Sequence, residues 1–272
     1  MSRQELDDQY RIAITERIAR FTVGIAGERN TVVGTGTLVK VGGERTILTA
    51  AHVIGASRPD DLRFWLRPPA PLKEKAARST SDAEVGKYTA GIHLPIIEIA
   101  KDDKVDIAVL RVHESFDLPD GPDVYDAFSS REFIDWEDGR LEGLTLVLMG
   151  FPTDNSRLVN TIGNRQFHFL GAASFLSEYS VELNRSVWRR LSSSFSDLKD
   201  FVFEYHGYSE QIGPRGFSGA GVWIPAADPA KKIWAPDPIL IGVVHTHVPK
   251  LGLLVATKLP SIIHISSNSN EA

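Results

Sequence analysis

Residues Gly34 to His52 read GTGTLVKVGGERTILTAAH. Two short β-branched runs, Gly34 to Val41 and Thr46 to Ala50, flank Gly42-Gly43-Glu44-Arg45, so the stretch is a β-hairpin turned by paired glycines. Its second strand runs out into Ala50-Ala51-His52-Val53, which sets a histidine at the exit of an apolar strand beside small residues that leave the ring accessible. The same grain continues outward. Phe21 to Ile25 precedes the hairpin, and Ile92 to Ala100, Asp106 to Val112, Leu144 to Phe151, Val159 to Ile162, Phe201 to Tyr205, Gly219 to Ile224, Ile239 to His245 and Gly252 to Thr257 follow it. Most are bounded by Gly, Pro, Asp or Asn. Parallel sheets need a crossover, usually helical, after nearly every strand, and few helical stretches separate these. The fold class is therefore all-β, built from antiparallel barrels or sandwiches.

Two stretches carry helical periodicity instead. In Gln4 to Arg20, Leu6, Tyr10, Ile14 and Ile18 recur every fourth residue, which places them on one face of an amphipathic helix. That face either packs across the back of a barrel or docks a partner or second copy. In Leu183 to Leu198, Leu183, Val187, Leu191 and Leu198 support a second helix, weakened by the serines at 192–194. Arg58 to Lys87 and Ser115 to Glu142 read as surface insertions. Ser174 to Asp200 also breaks the strand pattern, and the polar tail Ser266 to Ala272 reads as disordered. The expected organisation is a helical segment over 1–20, a first β lobe with insertions over 21–140, a second over 141–265, and the tail over 266–272.

Composition narrows the function classes. The 272 residues include 30 basic and 35 acidic side chains, a net charge of 30 − 35 = −5, and no cysteine. A disulfide framework, a thiolate nucleophile and a thiolate-bound metal are thereby excluded. The longest runs without a charge, such as Pro238 to Pro249, are 12 residues, against roughly 20 apolar residues for a spanning helix. Glu5, Asp7 and Asp8 precede any apolar stretch, the reverse of a secretory signal. The expectation is a cytoplasmic protein without a membrane partner. Interspersed charges and a pI near 5.9 argue against nucleic acid, which calls for clustered Lys and Arg.

Three motifs carry chemistry. Thr49-Ala50-Ala51-His52 presents an imidazole. Val105-Asp106-Ile107-Ala108-Val109-Leu110 opens an apolar strand with one carboxylate, which must find a hydrogen-bonding partner or suffer a large desolvation cost. Gly213-Pro214-Arg215-Gly216-Phe217-Ser218-Gly219-Ala220-Gly221 sets a serine in a tight turn whose glycines let backbone N–H groups converge. Acyl transfer needs these parts together: a hydroxyl, an imidazole to take its proton, a carboxylate to fix the imidazole tautomer, and paired N–H donors for the oxyanion.

With these motifs in the order His, Asp, Ser, the sequence from about Phe21 to Leu259 resembles the trypsin-like, chymotrypsin-fold serine peptidases, including their cysteine-free HtrA-like branch. The resemblance implies two packed six-stranded antiparallel β-barrels with the cleft between them. It implies a serine endopeptidase in which His52 is general base, Asp106 orients it and Ser218 is the nucleophile, with the N–H groups of Gly216 and Ser218 as the oxyanion hole. The partner is a protein or peptide substrate, with a regulatory protein as a further candidate, and no cofactor is implied. Counting back six residues from Ser218 puts Ile212 at the floor of the S1 pocket, where an apolar side chain favours cleavage after uncharged residues. His245, Thr246 and His247 fall on the strand that lines that pocket. There His245 either hydrogen-bonds Asp106 or is a core or rim histidine, and Thr246 and His247 face the substrate.

The chain departs from the family in three places. Phe217 stands where zymogen-activated members carry an aspartate, and no Ile-Val-Gly-Gly start is visible, so activation by that ion pair is excluded. Gly219-Ala220-Gly221 replaces the usual Gly-Gly-Pro or Gly-Ser-Pro. A following PDZ-like domain is not expected. Two other patterns have weaker readings: His206, His245 and His247 as a zinc set, and Asn184-Arg185-Ser186 as a glycosylation match. The runner-up to the enzyme is a silent or partner-activated trypsin-fold binding module.

Overall fold

The computed structural model describes residues 12–27, 32–41, 43–55, 57–66, 94–114, 125–126, 141–153, 156–162, 165–170, 173–191, 195–206, 213–226 and 237–262. A helix, α1 (residues 12–19), leads into a sheet of β1 (Thr22–Ala26), β2 (Val32–Val41), β3 (Glu44–Ala50), β4 (Arg63–Leu66), β5 (Ile96–Asp102) and β6 (Ile107–Val112) in the order β4-β1-β2-β3-β6-β5. Every pair along that path is antiparallel, and a short β7 (Tyr125–Asp126) adds in parallel to β2. The second sheet collects β8 (Thr145–Gly150), β11 (Ala173–Glu178), β12 (Asp200–Glu204), β13 (Gly221–Ala226), β14 (Asp237–Val248) and β15 (Leu253–Lys258) in the order β11-β8-β13-β14-β15-β12. Both sheets curl into half-barrels, and β9 (Ser156–Ile162) and β10 (Arg165–Leu170) form a separate hairpin. The all-β expectation therefore holds.

The opening hairpin pairs as its sequence dictates, from Thr37 with Leu48 to Val41 with Glu44. Its turn is two residues rather than four, with Gly43 at φ 91°, a conformation that suits glycine and matches the strand twist. Three strands fall where the sequence reads as insertion or irregular chain. Arg63–Leu66 is too short and too closely flanked by charge to register as periodic, yet it pairs along β1 and buries Phe64. Tyr125–Asp126 and Ala173–Glu178 are the other two.

The helix expected over Leu183 to Leu198 is shorter. It spans Val181–Val187 and ends in a 3-10 turn at Trp188–Arg190. Ser180 caps it by accepting the N–H of Leu183 at 3.2 Å. Asn184 is buried here, donating to the carbonyls of Ser180 and Val202 and accepting the N–H of Val202. That accounts for this asparagine as a structural residue.

Each sheet has its own core, Val23, Leu38, Ile47, Phe64 and Leu110 in the first and Leu148, Phe203, Phe217 and Val222 in the second. A third cluster joins them. Ile14, Ile18 and Phe21 meet Leu48 and Ile107 from the first sheet, Val147, Trp223 and Val243 from the second, and Leu259 and Ile262 from the chain beyond β15. Phe21 stacks on Trp223 with ring centroids 5.5 Å apart. The apolar face of α1 is thus a seam filler, at least over its described half; Leu6 and Tyr10 lie outside the described residues.

Because Ile18 is 0% exposed in that shared cluster, Ile18→Ala should cost about 2–5 kcal/mol. Urea unfolding followed by tryptophan fluorescence and by far-UV circular dichroism should show one midpoint, lowered equally by both probes. Separate midpoints would mean that the seam does not couple the sheets.

Candidate active site

β3 and β6 pair from Thr46 with Arg111 to Ala50 with Ile107. The register alone therefore brings the residues after Ala50 beside the residue before Ile107. A single-turn helix, α2 (Ala51–Ile54), starts at that point and carries an exposed His52, while Asp106 occupies the facing turn. The Asp106 carboxylate grips this helix twice: Oδ2 lies 2.7 Å from His52 Nδ1, and Oδ1 accepts the His52 backbone N–H at 2.9 Å. Its own carbonyl accepts the Ala51 N–H at 3.0 Å.

Holding this geometry requires Asp106 at φ 50°, where no other described non-glycine residue has positive φ. The left-handed region costs an ordinary L-residue about 1–2 kcal/mol, and Asp and Asn tolerate it best. Burial on its own would push the carboxyl up. The hydrogen bonds from the His52 ring and amide, and the charges of His52 and His245, outweigh it and hold Asp106 below the ordinary carboxylate value.

Ser218 lies in a turn built by two glycines, Gly216 at φ 95° and Gly219 at φ 89°. A Cβ on Gly219 would overlap the Thr35 carbonyl and the Thr49 hydroxyl, so no other residue fits there. Thr35, from the first sheet, clamps the turn: its N–H donates to Ser218 O at 2.8 Å and its Oγ1 to Gly216 O at 2.6 Å. Phe217 is fully buried, its ring 4.8 Å from that of Phe175 and 6.4 Å from that of Tyr205. Three amides of the turn are engaged: Phe217, Gly219 and Ala220 donate to the Pro214, Val244 and Phe217 carbonyls respectively. Among the described residues the N–H groups of Gly216 and Ser218 donate to no protein acceptor.

No protein-family model and no curated protein matches this chain. The two curled six-stranded antiparallel sheets are compatible with a trypsin-like fold.

Gly34 links the two halves of the site. A Cβ there would lie 2.5 Å and 2.7 Å from the Val53 methyls and 2.9 Å from Ser218 O, so α2 and the serine turn meet over this one glycine. Among the described residues Ser218 Oγ makes no hydrogen bond, to His52 or otherwise. The structure thus forms the imidazole–carboxylate pair and sets the serine turn against it without closing the last contact.

The remaining expected site residues lie elsewhere. Ile212 is outside the described residues. His245 is buried at 4% exposure, with Nε2 3.5 Å from Asp200 Oδ1 and Nδ1 3.0 Å from Thr246 Oγ1. Of the two readings of His245, the structure shows the core histidine: its ring makes no hydrogen bond to Asp106 and turns towards Asp200. Thr246 is half-buried, with its hydroxyl at His245 rather than offered to a substrate. His247 is half-buried, its ring 5.7 Å from that of Tyr205, and burial holds it below the usual imidazole value. His206 faces Glu204 at 3.6 Å. The three rings of the weaker zinc reading therefore have separate neighbours, and among the described residues no cluster suits a metal ion.

Sequence reading missed Thr35 as a site residue. The alternation Gly34-Thr35-Gly36-Thr37 was its one signal, since glycines in a strand mark close approach by another backbone.

Asp106 has a lower pKa folded than unfolded, so its contribution to stability is complete above about pH 4 and lost as pH falls through the folded-state value. Asp106→Asn should be less stable than wild type at pH 7, with the gap narrowing below pH 4 in urea titrations. Phe217→Ala should cost about 3–5 kcal/mol in the same assay, because nothing else fills the site under the serine turn.

Proposed function

We propose that the chain is a serine endopeptidase of the trypsin-like kind. The observation that carries this reading is the double hold of Asp106 on His52, ring and amide together. A carboxylate that only needed solvation would not require both, nor a left-handed backbone. The two unengaged amides at Gly216 and Ser218, on either side of an engaged one, support it as well. They are the donors an oxyanion hole would use.

In this mechanism a peptide carbonyl enters over the serine turn and Ser218 Oγ attacks its carbon. The hydroxyl proton passes to His52 Nε2 while Asp106 keeps the other proton on Nδ1 and stabilises the imidazolium. Negative charge on the carbonyl oxygen is met by the Gly216 and Ser218 N–H groups. The tetrahedral adduct collapses, the C–N bond breaks, and His52 returns its proton to the leaving amine. Water then gives a proton to His52 and attacks the acyl-enzyme, which releases the acid and restores Ser218. The proposed preference is for uncharged residues before the scissile bond, and a peptide library cut chiefly after Lys or Arg would contradict it.

The open contact between Ser218 Oγ and His52 favours one second reading, an enzyme completed by a partner or by substrate itself. Catalytic hydrogen bonds are often long or misaligned without substrate. A fluorophosphonate probe separates the cases: an enzyme that is competent alone is labelled at Ser218, and one that waits for a protein partner is labelled only with it. His52→Ala and Ser218→Ala should abolish labelling. Ser218→Ala should lower peptide turnover by about six orders of magnitude, and hydrolysis persisting in that variant would reject the assignment.

A further inference from the structure

We propose that Thr257, Asp200 and His245 form a buried bracket in the second sheet that reaches across the seam and pins the Val105–Asp106 peptide, which makes them positioning residues for Asp106. The proposal rests on the serine-peptidase reading for its effect on rate, and is independent of that reading for its effect on the Asp106 backbone.

Asp200 on β12 and Thr257 on β15 are direct cross-strand partners, and both are buried. Asp200 Oδ2 accepts the Ser196 N–H at 3.0 Å, and Ser196 O accepts the Asp200 N–H at 2.7 Å. Thr257 Oγ1 lies 3.1 Å from Val105 O and 3.2 Å from Asp200 Oδ1. It has one proton for two acceptors.

His245 offsets that shortage by charge. It is the extra residue where β14 bulges against β15, between the pairs Val244 with Ala256 and Thr246 with Val255. The bulge turns its ring inward, against Phe195 at 5.9 Å, with Nε2 3.5 Å from Asp200 Oδ1 and itself making no hydrogen bond. A proton on Nε2 sets positive charge 3.5 Å from Asp200 Oδ1, short of a hydrogen bond, and leaves Nδ1 to accept from the Thr246 hydroxyl. The Thr257 proton is then free for Val105 O. With the proton on Nδ1 instead, a lone pair would face a buried carboxylate, an arrangement with no compensating donor.

The peptide this proton reaches is the one that matters. Val105 O belongs to the peptide before the Asp106 Cα and Asp106 O to the peptide after it. The first is held from the second sheet by Thr257, the second from α2 by the Ala51 N–H. Fixing both planes fixes φ and ψ, which is how a residue is kept in a sparsely populated conformation.

The test pairs amide hydrogen exchange with fluorophosphonate labelling in the full chain. Thr257→Val removes the hydroxyl alone. It should speed exchange at the Ala51 and His52 amides, both of which donate to Asp106, and slow labelling of Ser218 by up to about tenfold; Thr257→Ser should restore both. His245→Phe, which keeps the ring volume but not the Nε2 proton, should move both readings in the same direction with Thr257 intact. Unchanged exchange at these two amides, or equal losses in Thr257→Val and Thr257→Ser, would overturn the bracket. A wild-type chain that is never labelled would reject the peptidase reading and leave the bracket to be judged on exchange alone.

Discussion

The site depends on how closely one threonine approaches across the seam. Thr35 donates its N–H to Ser218 O and its hydroxyl to Gly216 O; that hydroxyl accepts the Phe151 N–H at 2.9 Å, and the Thr35 carbonyl accepts the Thr49 hydroxyl at 2.7 Å. Backbones this near leave no room for a Cβ at Gly34 or Gly219. The turn bearing Ser218 therefore has its shape imposed by the first sheet, although its chain belongs to the second. A buried hydrogen bond of this kind contributes only about 1 kcal/mol net, but breaking it strands a desolvated partner. The clamp is consequently worth more as a constraint on shape than as a source of stability.

Beneath the turn, Phe217 is held by packing. Its ring lies among Phe175, Tyr205 and the chain at Gly150, where a Cβ would come within 2.8 Å of it. An aromatic ring in an apolar socket carries no charge to titrate. The socket under the turn is thus apolar, as is the seam beside it, filled by Ile14, Ile18 and Phe21 from the N-terminal side.

Much of this was legible in the sequence, for reasons that differ by residue. Two β-branched runs around paired glycines announced the hairpin, because local chemistry decides it. His52 and Asp106 stood out as polar residues at the mouths of apolar strands, and the register of β3 on β6 brings them together without further help. Arg63–Leu66 was hidden because four residues are too few to establish a period. Asp200 gave no sign of burial, since a carboxylate ahead of a strand reads as a turn residue until Thr257 and His245 are seen beside it. The bulge at His245 was equally silent: nothing in the run from Ile239 to His247 marks one residue as unpaired, and that residue sends the His245 and His247 rings to different neighbours.

The candidate residues share a pattern of support. Ser218 comes from the second sheet and is braced by Thr35 of the first, whereas Asp106 comes from the first and is braced by Thr257 of the second. Neither half of the site is self-sufficient, so its geometry is a property of the seam. That also explains polar residues where apolar ones would serve stability as well or better. A buried group of Asp, His and Thr carries a desolvation penalty that well-packed hydrophobic side chains of similar volume avoid. Hydrophobic packing, however, is non-directional: it can hold the lobes together without fixing the tilt of one peptide plane. The apolar cluster around Trp223 supplies the adhesion, and the few hydrogen bonds that cross it supply the orientation.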